Sequence, residues 1–141
     1  MTRDEFKIMH SEMLHHVQCI EHDLRIIYAT LQSGNFDENI NYIENASMGQ
    51  IIAELKRADE IDGYPDLSDS DYRTIDNIRE IRNYWCHQCY LDYVYIADEK
   101  ERTERFNKIA ERLKGDSARA HDLHVRIQKI RLNKLKEYHL I

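Results

Sequence analysis

Proline and glycine are scarce in this chain: one Pro and four Gly among 141 residues. With so few breakers, long helices are the natural reading. No stretch approaches 18 consecutive apolar residues, which excludes a membrane-spanning helix. Met1-Thr2-Arg3-Asp4-Glu5 holds no apolar signal segment, so a cytoplasmic location is expected. The three cysteines, Cys19, Cys86 and Cys89, do not make a disulfide framework. Cys86 and Cys89 form a C-x-x-C, but inside a helical pattern rather than at a strand-to-helix turn, and no second pair completes a zinc site. Buried or half-buried free thiols are expected at all three.

Hydrophobic residues make up 42% of the chain, enough for a core, and the length fits one domain over 1–141. The net charge of −6 argues against tight nucleic-acid binding by the whole surface. The charge is uneven, however. Asp37 to Asp71 holds ten acids against Lys56 and Arg57, whereas Ala118 to Lys136 holds six Lys and Arg against Asp122 alone. That basic stretch suits phosphate or an acidic partner, or equally a solvated helix face beside an acidic neighbour.

Thr2-Arg3-Asp4-Glu5 reads as a capping box. Behind it Phe6, Met9, Met13, Val17, Ile20, Leu24, Ile27 and Leu31 recur at helical spacing, and Ser33-Gly34-Asn35 ends the run. A second helix is expected from about Asp37 to Asp62, broken by Gly63-Tyr64-Pro65. A third starts at Ser68–Asp71 and carries Ile75, Ile78, Ile81, Trp85, Cys89 and Ile96. A fourth begins near Asp98, Gly115-Asp116-Ser117 bends or stops it, and a fifth closes the chain. Four or five such amphipathic helices make an all-α bundle.

The third helix holds the most unusual stretch, Ile81-Arg82-Asn83-Tyr84-Trp85-Cys86-His87-Gln88-Cys89-Tyr90. Asn83 and His87 are i and i+4 on one face, so the amide can orient the imidazole. Arg82 and His87 lie about 140° apart around the axis and about 7.5 Å along it. One helix does not bring them to a single small atom; two copies across a two-fold axis can. Such a set suits RNA cleavage. His can take the proton from a 2′-hydroxyl and deliver one to the leaving 5′-oxygen, and a guanidinium can neutralise the charged phosphorane-like transition state. No metal is required for that chemistry. Tyr84 and Tyr90 could stack bases, although the run Tyr84, Trp85, Tyr90, Tyr93 and Tyr95 fits core or dimer interface better.

Arg82-Asn83-Tyr84-Trp85-Cys86-His87 resembles the R-[polar]-x-x-x-H motif of the HEPN family. The resemblance implies a bundle of four to five helices with the motif on a late helix. Many members are metal-independent, dimeric ribonucleases of toxin–antitoxin, abortive-infection and CRISPR-associated systems. It implies catalytic roles for Arg82 and His87, a helper role for Asn83, RNA as substrate, a homodimer, no cofactor, and an antitoxin or regulatory protein as a further partner. In one toxin branch a Tyr two residues after the His is covalently modified; here Cys89 holds that place and Tyr90 follows. Other members are inactive binding modules, which leaves a non-catalytic helical module as the alternative.

The remaining histidines suggest less. His15 and His22 are seven apart, and His121 and His124 three apart, spacings that allow a shared metal with Glu21 or Asp122. No H-E-x-x-H or four-ligand pattern is present, so exposed helical histidines and no metal are expected. The Asn45-Ala46-Ser47 sequon carries no meaning in a cytoplasmic protein.

Overall fold

The computed structural model describes residues 1–61 and 63–140. It is all-helical, with five helices and no strand among the described residues: α1 (Arg3–Leu31), α2 (Phe36–Ile43), α3 (Met48–Glu60), α4 (Asp69–His87) and α5 (Glu99–Glu137). The first helix is the hub, since each of the other four packs on it, α5 most extensively. Its start is the expected capping box: the Glu5 amide donates to Thr2 Oγ1 and the Thr2 amide to Glu5 Oε2. Phe6, Met13, Val17, Ile20, Leu24 and Ile27 are fully buried along one stripe, each contributing about 1.5–3 kcal/mol of apolar burial. Gly34, at φ +102, turns the chain after α1 in the left-handed region that glycine tolerates. Asn39 then caps the open end of α1 by donating to the carbonyls of Ala29 and Gln32.

The boundaries differ from expectation in three places. The expected second helix is two helices, α2 and α3, separated at residues 44–47; its expected end at Asp62 falls outside the described residues. The break is a new helix start. Ser47 and Gln50 form a reciprocal capping box, and Arg25 donates to the Ala46 carbonyl to hold the turn against α1. The third expected helix stops at His87 rather than reaching Ile96. Residues 88–95 form successive turns instead, in which Tyr93 is buried and Tyr90 half-buried against Phe6. Aromatic and β-branched residues have modest helix propensity, and packing decides the conformation here.

The third difference is that the expected fourth and fifth helices are one, α5, of 39 residues and about 58 Å. Gly115 costs a helix interior only about 1 kcal/mol relative to Ala, too little to break one packed along its length. Its neighbour Asp116 is buried and accepts the indole N–H of Trp85 at 2.8 Å, which fixes α5 to α4.

Polar contacts tie the remaining joints. Asp59, at the end of α3, accepts from the amides of Asp66 and Leu67 and from the Tyr72 hydroxyl. These bonds shape the connection into α4, whose start is capped by Ser68 and Asp71. The basic stretch of α5 meets acids of its own chain: Arg126 with Asp71, Arg131 with Asp23, and Lys134 with Asp66. Of the two roles anticipated for it, contact with an acidic neighbour is the one seen for these three side chains.

Candidate functional site

Arg82 and His87 project from the last turns of α4 toward α1. They line one surface cleft of about 210 Å³ together with Leu14, Val17, Gln18 and Glu21 of α1 and Cys86 of α4. The 140° that separates two such positions on an ideal helix is bridged by the reach of the Arg side chain and by Glu21, with which Arg82 forms an ion pair. His87 is exposed, on the final residue of the helix. Cys86 is exposed too, contrary to the expected burial of all three thiols, while Cys19 is half-buried and Cys89 buried. Larger hollows exist, including one of about 430 Å³ beside Tyr42, Asn45 and Glu54, but that one contains no imidazole, guanidinium or thiol. Chemistry, rather than size, selects the α1–α4 cleft.

The other expected site residues lie elsewhere. Asn83 is exposed and outside the cleft lining, and no hydrogen bond joins it to His87 among the described residues. With both side chains in water, an i,i+4 amide–imidazole contact has little to hold it. Tyr84 is half-buried: its hydroxyl donates to Asp92 at 2.8 Å, and the Arg112 guanidinium lies 3.8 Å from its ring centroid. Burial and that bond to a carboxylate push the Tyr84 hydroxyl well above the usual tyrosine range. Tyr90 packs edge-on against Phe6 and His10, in a cluster with Tyr93. The structure therefore brings neither Tyr84 nor Tyr90 to the cleft; both rings pack within the chain.

Two residues near the site gave no clear signal in the sequence. Glu21 sits four residues from Val17 on the margin of the apolar stripe of α1, and nothing local marks it as the partner of Arg82. His10 lies one turn after Phe6, and its Nε2 is 2.7 Å from the Trp85 carbonyl. A carbonyl only accepts, so Nε2 carries the proton. That carbonyl is in the last turn of α4, where backbone acceptors lack helical donors, and His10 supplies one. Cys89 also donates weakly to it, and burial pushes the Cys89 thiol up to about 11.

A second group of histidines gathers where α1 and α5 cross-pack. His16 Nδ1 lies 2.9 Å from His124 Nδ1, and the His16 ring centroid is 5.2 Å from those of both His121 and His124. His15 flanks them, with its Nε2 at 3.7 Å from Cys19 Sγ. Burial first, then the neighbouring imidazoles, hold His16 below the usual histidine range. Spacing along single helices pairs His15 with His22 and His121 with His124; the contacts between α1 and α5 instead join His15 and His16 to His121 and His124, because the two helices pack in this register.

Comparison with protein families, curated proteins and solved structures finds no match for the chain. The fold class is that of an all-α bundle, and no described helix is long and apolar enough to cross a membrane.

Proposed function

We propose that the protein is a metal-independent endoribonuclease of HEPN type, acting as a homodimer on single-stranded RNA in a toxin–antitoxin or phage-defence setting. The observation that carries this reading is that Arg82 and His87 line one solvent-open cleft rather than being sealed beneath other helices. His87 takes the 2′-hydroxyl proton, the 2′-oxygen attacks phosphorus, and the 5′-oxygen leaves with a proton returned by an imidazole. Arg82 neutralises charge on the phosphorane-like transition state, once phosphate has displaced Glu21 from it. The products are a 2′,3′-cyclic phosphate and a 5′-hydroxyl. A second copy across a two-fold axis supplies the second imidazole. Just beyond His87, Leu91, Val94 and Tyr95 are exposed, apolar surface that pairing of two chains would bury. Asn83 enters as a helper that engages only when RNA is bound, and an antitoxin or regulatory protein as the partner that restrains the enzyme.

The test is RNA cleavage by the purified chain in EDTA. Wild type cuts, and Arg82→Ala and His87→Ala each lose about 100-fold or more. Equal cutting by the variants places the activity elsewhere. The Arg82–Glu21 ion pair favours a second reading, a non-catalytic binding module, because the guanidinium is already neutralised within the chain. In that case wild type cleaves no RNA, and His87→Ala alters only binding or stability.

A further inference from the structure

We propose that His16, His121 and His124 form a binding site for one late first-row divalent metal ion, of the class of Zn²⁺ or Ni²⁺. Four of the chain's eight histidines, His15, His16, His121 and His124, meet at one place on the α1–α5 seam. Imidazole suits these ions. A tetrahedral zinc holds nitrogens at about 2.0–2.1 Å, which sets ligand nitrogens about 3.3 Å apart and imidazole centroids about 5 Å apart. The His16 and His124 Nδ1 atoms are 2.9 Å apart, and the centroid separations from His16 to His121 and to His124 are both 5.2 Å.

As the side chains stand, no three His, Cys, Asp or Glu groups among the described residues converge on one point. The missing movement is of side chains. His16 and His124 point nitrogen to nitrogen, in line, and each ring must swing by about 35° for the two lone pairs to meet at one ion. His121 is exposed, with Nδ1 3.4 Å from Asp122 Oδ1, and only its side-chain torsions must change. The backbone beneath is fixed, since Val17, Ile20, Ala120, Leu123 and Ile127 are buried along the same seam. With the ion bound, His16 and His124 each carry their proton on Nε2 and present Nδ1 as the ligand, so neutral rings lose no proton. Water fills the remaining position.

The experiment is calorimetric titration of the untagged full chain with ZnCl₂ and, separately, NiCl₂ near neutral pH, with helical circular dichroism as the fold check. The expected result is one ion per chain, bound with Kd below about 100 μM. His121→Ala and His124→Ala should each weaken it by about tenfold or more, and His22→Ala, on an exposed position of α1, should not. If His124→Ala loses helical signal, exposed His121→Ala decides. No binding by wild type, one ion per two chains, or binding unchanged in folded His121→Ala would overturn the site.

Discussion

Replacing Asp116 by Ala tests the least expected joint in the fold, the fixing of α4 to an unbroken α5. Trp85 is 1% and Asp116 3% exposed, and the indole N–H has the Asp116 carboxylate as its acceptor at 2.8 Å. Removing that carboxylate leaves a buried donor unsatisfied, at about 1–3 kcal/mol. Arg112 and Arg119 also pair with Asp116, but their side chains are about half exposed, and such pairs contribute about 0–1 kcal/mol. The expected loss is therefore about 2–3 kcal/mol, or about 6–10 °C in Tm for a chain of this size. Asp116→Asn keeps a carbonyl acceptor and gives up only the charge, for about 1 kcal/mol. Urea unfolding followed by fluorescence is well suited, because Trp85 is the chain's one tryptophan and sits at the perturbed spot. If Ala and Asn cost the same, or if Ala costs under about 0.5 kcal/mol, the hydrogen bond is not what holds this joint.

Two further outcomes follow from the same helix. Gly115→Ala should stabilise the protein by about 0.5–1 kcal/mol, because the site is helix interior and an added Cβ meets only the Arg119 guanidinium, at 3.4–3.5 Å; a lowered urea midpoint would contradict this. The Arg126 guanidinium beside Asp71, with the Ser68 cap, holds the Asp71 carboxyl at about 2, below its ordinary 3.8. A carboxyl with a lowered folded pKa stabilises above its unfolded value and loses that contribution as pH falls toward 2. The stability difference between wild type and Asp71→Asn should thus stay level from neutral pH to about 5 and shrink between about 4 and 2. Its plateau, discounted because Arg126 is half exposed, is about 1–2 kcal/mol; a difference independent of pH in urea titrations would refute the pairing.

The sequence disclosed the periodic parts of this molecule and hid those set by contacts between distant residues. The α1 stripe and the Thr2–Glu5 cap were both readable because each depends on residues within one or two turns. The Ser47–Gln50 capping box was equally local, but it lay behind a sequon and within a continuing apolar pattern, so α2 and α3 read as one helix. Gly115-Asp116-Ser117 carries the composition of a turn, and only the position of Trp85, 31 residues earlier, explains why Asp116 belongs inside a helix. Arg82 and His87 were legible as residue types on a helix. Their common cleft was not, because α1 supplies its other wall and Glu21 its counter-charge. The same holds for His16 and His124, 108 residues apart in sequence.

Asp116, Arg126, Arg131 and Lys134 all ride on one uninterrupted rod, and each grips a different part of the chain. Sliding that rod by a single residue would move every grip by about 1.5 Å and swing it by about 100°. A shift of that kind would break all four together. The last third of the chain is consequently a key with one setting, and a change of register there would be felt at the beginning of the protein as well as in its middle.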